Sequence, residues 1–121
     1  MHPAITEGIA HFNSRRFFEA HEALEALWLT EQGEGKLFLH GLIQVAAAFH
    51  HYQRGNEEGF RSLLEKGEKK LTLHSGMNYG IDVEDFLKQL RPRLAAARAQ
   101  NLAATALPLP VIRTLQPFST V

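Results

Sequence analysis

Residues 36–54 read KLFLHGLIQVAAAFHHYQR, and nearly every direction around a helix of that sequence is apolar. Leu37, Phe38, Leu39, Leu42, Ile43, Val45, Ala46 and Phe49 leave no solvent face. The segment is therefore expected to be a central helix buried by others. Gln44 interrupts the apolar run and His50 ends it, so the stretch is too short and too polar to cross a bilayer.

The flanking sequence supplies the covering helices. Pro3 suits a first helical turn, and Ile5, Ile9 and Phe12 recur at helical spacing, so a short helix is expected to run to Asn13-Ser14. Those two residues can cap the next helix. From about residue 15 to 31, Phe17, Phe18, Leu24, Leu27 and Trp28 mark one side of a helix, and Arg16, Glu19, Ala23 and Ala26 the other; Gly33 and Gly35 then break it. After the central helix, Gly55 is a natural C-terminal stop and Asn56 an N-cap. Glu57 and Glu58 fall in the first turn of a fourth helix carrying Phe60, Leu63, Leu64 and Leu71.

Residues 74–80 read as a loop. The run from Ile81 to Phe86 resembles a capping arrangement, with Ile81 stapled onto Phe86, for a fifth helix reaching about residue 100. Pro92 within it is expected to kink the helix. Residues 102–121 carry Pro108, Pro110 and Pro117 among Leu107, Leu109, Val111, Ile112 and Leu115, which suits an extended tail packed on the bundle or on a neighbouring subunit.

The whole is expected to be one all-α domain, a bundle of about five helices, from a chain of 121 residues. Thirteen basic residues balance thirteen acidic ones, so no net field recruits nucleic acid or an anionic membrane. Without cysteine, any chemistry rests on His, carboxylates, amides and hydroxyls. The N-terminal residues lack the basic and apolar regions of a signal peptide, so a cytoplasmic location is the expectation. The apolar tail on so small a domain suggests a homo-oligomer.

Two polar stripes interrupt the apolar pattern. At about 100° per residue, His21, Glu25 and Trp28 share a narrow sector of the second helix, with Glu22 at its margin and Glu19 almost opposite. Glu25 is the carboxylate expected to be buried, with Glu22 second. On the central helix Leu37, His40, Gln44, Ala47, Ala48 and His51 align, while His50 points elsewhere, beside Ile43. With the two helices antiparallel across a short connection, His21 is expected to face His51, Glu25 to face Gln44 and Ala48, and Trp28 to fall near His40 and Gly41.

The cluster admits two readings. One is an internal hydrogen-bond network that fixes helix register. The other is a metal or ligand site, with His21, Glu25 and His51 holding a divalent ion and Trp28, His40, Gln44 and His50 touching a small-molecule ligand. Imidazole with carboxylate suits zinc, manganese, iron or nickel, and Glu22 or Glu25 could serve as the catalytic base toward a metal-bound water. The sequence has neither the second His of the zincin motif nor the paired Glu-x-x-His of di-iron bundles. Elsewhere, Lys66, Lys69 and Lys70 read as a solvated face, His2 and His74 as surface residues, and Phe17, Phe18, Phe49 and Trp28 as core.

The run Phe12-Asn13, Phe17-Phe18-Glu19-Ala20-His21-Glu22, Leu24-Glu25 and Trp28, followed by Gly41-Leu42-Ile43-Gln44, Ala46-Ala47-Ala48, His50-His51 and Gly55-Asn56, resembles domain-of-unknown-function family 309. Tyr79-Gly80-Ile81-Asp82-Val83 extends the likeness. The resemblance implies a small helical fold, sometimes labelled a predicted metal-dependent hydrolase, with no established substrate. It selects His21, Glu22, Glu25, Trp28, Gln44, His50 and His51; His40 comes from the helical projection alone.

Overall fold

The structure, a computed structural model, describes residues 1–100 and 107–115. It is an all-α bundle of five helices: α1 Pro3–Asn13, α2 Phe17–Trp28, α3 Gly33–Gln53, α4 Glu57–Leu73 and α5 Val83–Arg98. Consecutive helices pack on one another, and α3 lies between α2 and α4. Phe38, Leu39, Leu42, Val45, Ala46, Ala48 and Phe49 of α3 are all buried as expected, but Leu37 is 42% exposed, so the helix does keep a solvent edge near its start.

Aromatic rings join the helices at one end of the core. Phe12 of α1 meets Phe17 of α2 edge-on at 4.9 Å between centroids and Phe86 of α5 at 5.5 Å. Phe49 of α3 meets Phe17 at 5.5 Å and Phe60 of α4 at 5.2 Å. Each such pair adds about 0.5–1.5 kcal/mol beyond the area it buries, so this cluster fixes how α1 and α5 sit against the centre.

The caps explain where the helices start. Asn56 accepts a hydrogen bond from the Gly59 amide at 2.9 Å, and Asp82 one from the Asp85 amide at 3.1 Å. Asn13 and Ser14 do not cap α2: its N-cap is Arg16, which makes no side-chain bond to the helix. Asn13 instead pairs both ways with the backbone of Ile112, its amide donating at 2.9 Å and its carbonyl accepting at 2.7 Å. Of the two glycines expected to break the chain, only Gly33 does so, with φ +65°. Gly35 lies in the first turn of α3, where a Cβ would stand 2.3 Å from the Tyr79 hydroxyl. Helix α5 runs through Pro92 as one element and is not restarted there.

The described tail, residues 107–115, lies extended on the chain's own bundle. The Asp82 amide donates to the Arg113 carbonyl at 2.8 Å, and the Leu115 amide to the Gly80 carbonyl at 2.8 Å. Gln89 of α5 bonds both backbone groups of Val111, and Ile81 and Thr114 form an antiparallel bridge. Arg93, only 2% exposed, is held beneath this strap. It donates to the Leu107 and Pro108 carbonyls, and its guanidinium stands over the rings of Tyr52 and Phe49. The rest of the expected tail, residues 102–106 and 116–121, lies outside the described residues. No helix among the described residues is long and apolar enough to cross a membrane.

Candidate functional site

Between α2, α3 and α4 lies a cleft of about 240 Å³. Its walls are His21, Glu25 and Trp28 of α2, His40, Ile43, Gln44 and Ala47 of α3, and Leu63 of α4. The small Ala47 leaves the space, and the period of each helix brings the polar residues to it. The cleft is open to solvent rather than interior: the His21 side chain is 28% exposed and that of Glu25 47%. The expected burial of Glu25 is thus corrected.

Two aromatic contacts set the register of α2 against α3. Trp28 and His40 rings lie 5.7 Å apart, and Phe18 and His50 rings 5.4 Å apart. The index total is the same in both pairs, so the helices are antiparallel and residue 21 falls opposite residue 47. His51 is a full turn further along and cannot face His21 as expected. It turns to the α3–α4 corner, where its Nδ1 lies 3.2 Å from the Asn56 amide nitrogen. His50 packs on the exposed ring of Phe18, outside the cleft walls, and Phe18 stacks on His21 at 5.9 Å. Phe18 is therefore not core. Glu22 is exposed and is not among the cleft walls.

Within the cleft, His21 Nε2 lies 3.3 Å from Glu25 Oε2, one helical turn away. The Nδ1 atom of His21 is buried and has no hydrogen-bond partner among the described residues. Gln44, 9% exposed, accepts a hydrogen bond on Oε1 from Lys70 Nζ of α4 at 3.0 Å. The Lys36 ammonium stands 4.4 Å above the Trp28 ring. Burial, and after it the Lys70 ammonium, pushes the His40 imidazole below its ordinary pKa, so the ring is held neutral.

Lys70 is the residue that sequence reasoning missed. It reads as part of a charged run, yet Leu63, Gly67 and Lys70 share a helical face, and Gly67 packs against Gly41 and Val45 of α3. A lysine on the face of a glycine that admits a neighbouring backbone is the available signal. His74 is likewise not simply a surface residue, because its Nδ1 meets Glu34 Oε1 at 2.5 Å.

The donor set does not fit a metal held by three protein ligands. Among the described residues no three His, Asp, Glu or Cys side chains come together in a way that could hold an ion. His21 and Glu25 remain two donors of the expected set, and His51 is engaged at the other corner.

Residues 5–63 match the family described as Domain of unknown function (DUF309). Over that span, just under half of its length, the chain is similar to this family. The matched segment runs from Ile5 in α1 through α2 and α3 to Leu63 in α4, so it contains every wall residue of the cleft and stops before Lys70. No curated protein matches the chain.

Proposed function

We propose that the chain binds a small organic molecule in the cleft between α2, α3 and α4. One observation carries this reading: a single cavity gathers His21, Glu25, Trp28, His40 and Gln44 beside the apolar Ile43, Ala47 and Leu63. A few convergent polar groups on an apolar wall are what small-molecule sites use to orient and hold a ligand. At about 240 Å³ the cleft suits a compound of fragment size.

Hydrolysis of an ester is the enzymatic form of the same reading: the half-exposed Glu25, oriented by His21 Nε2 at 3.3 Å, takes a proton from water as it attacks the carbonyl and returns it to the leaving alcohol as the C–O bond breaks. A packing role has support of its own at one point, since the Gln44–Lys70 bond satisfies the buried amide oxygen.

A fragment screen on the full chain, read by amide and side-chain NMR, tests the proposal. Shifts should gather on His21, Trp28, His40 and Gln44, saturate with concentration, and vanish in Ala47→Phe, whose ring fills the space. Turnover of ester fragments in that screen, lost in Glu25→Gln, is what the enzymatic form requires. Fragments that bind elsewhere, or bind Ala47→Phe equally well, would overturn the cleft as the site.

A further inference from the structure

We propose that the Trp28–His40 end of the cleft is an anion subsite, taking the carboxylate of a small organic acid whose apolar body lies on Ile43, Ala47 and Leu63. The inference rests on the binding reading above and names the class of ligand.

Lys70 Nζ uses one of its three N–H groups on Gln44 Oε1. Because the Gln44 oxygen is engaged by Lys70, the NH₂ group is the part of this wall residue left to serve a ligand, as a donor rather than an acceptor. A neutral imidazole at His40 carries one further N–H.

The charges around His40 point the same way. From α2 come Glu25 and His21, from α3 Lys36, and from α4 Lys70. Glu25 is at ion-pair distance from His21, toward the other end of the cleft. Among the described residues, no carboxylate lies within ion-pair distance of Lys36 or Lys70. Lys36 stands on the Trp28 ring, and the Lys70 charge reaches the His40 ring strongly enough to oppose its protonation. One end of the cleft is thus rich in N–H donors and net positive, and its remaining walls are apolar. A monoanion with an apolar body complements both, whereas an organic cation would meet two ammonium groups.

Benzoate, benzamide and benzylamine share one ring and differ in charge, and Trp28, the single tryptophan, reports on the cleft by fluorescence. Benzoate should give a saturable change and bind about tenfold or more tightly than benzylamine, with benzamide between them. Lys70→Gln should weaken benzoate about tenfold and leave benzamide unchanged, since it removes one charged donor. Lys70→Arg, which keeps the charge, should restore binding and guards against a merely misfolded variant. If benzamide or benzylamine binds the cleft as tightly as benzoate, or Lys70→Gln binds benzoate like the native chain, the anion subsite is wrong and the cleft reading stands. If the Ala47→Phe-sensitive shifts never occur with any fragment, both fall.

Discussion

His40 shows how a single side chain can carry information about its surroundings. Its ring is flanked by Trp28 of α2 and feels Lys70 of α4, and burial is the larger of the two influences that lower its pKa. In the unfolded chain the ring titrates near its ordinary value of about 6.5. The folded state therefore binds fewer protons than the unfolded state just below that pH. This contribution to stability is fully present above about pH 6.5 and is lost as pH falls through the lower folded value. Urea unfolding of native chain and His40→Asn should diverge above pH 6.5 and converge on acidification; parallel curves would show that the ring is not held neutral. At this scale the sequence was informative about type and sector. His40, His21, Glu25, Trp28 and Gln44 all reach the cleft as their helical angles require. Arg93 was not legible, because a cation in a polar-looking stretch discloses nothing of the carbonyls it will meet, and Lys70 carried only the weak sign of sharing a face with Gly67.

Helix α4 approaches α3 through glycine. A Cβ at Gly67 would lie 2.8 Å from the Gly41 carbonyl oxygen and 2.7 Å from Val45 Cγ2, and one at Gly41 would lie 3.2 Å from the Gly67 carbonyl oxygen. In an exposed helix, glycine to alanine gains about 1 kcal/mol in propensity. Here the obstacle is backbone, which cannot rotate aside, so overpacking of about 1–3 kcal/mol outweighs that gain. Gly67→Ala is expected to lower Tm, and because Lys70 rides on the same face it should also loosen the Gln44 contact, visible in the Gln44 side-chain amide shift. A higher Tm would show that the helices can part at no cost. The elements themselves were largely readable, since apolar period and caps at Asn56 and Asp82 place α4 and α5. The misreadings arose where a long-range partner displaced a local one. Asn13 has the chemistry of a cap, but the Ile112 backbone claims both its polar atoms. The stripe of α3 projects His51 inward, yet the register set by Trp28–His40 and Phe18–His50 carries it past His21.

For the molecule as a whole, the strap over residues 107–115 joins parts that are far apart in sequence, α1 through Asn13, the α1–α2 turn through Arg15, the entry to α5 through Asp82, and α5 through Gln89 and Arg93. The apolar tail that suggested self-association lies, over its described residues, on its own bundle. Arg93 is the anchor, and its buried charge is met by carbonyl oxygens and aromatic faces. Arg93→Met keeps the stem and removes the donors, leaving two carbonyls to find other partners at about 1–3 kcal/mol. Hydrogen exchange should then speed at the amides of Asp82, Val111 and Ile112 while those of the α3 interior stay protected. Equal loss of protection everywhere would mean that the strap is inseparable from the core.

Asn13 and Ile112 stand 99 positions apart in the chain and close on each other through two hydrogen bonds. On a ribosome, which delivers the chain from its N-terminal side, α1 to α3 emerge with the Asn13 amide unmet and Phe12 lacking the Phe86 ring. The cleft walls can be made early, but the clasp that holds α1 to α5 waits for the strap, so the order of synthesis makes the finishing step of folding a late and long-range one.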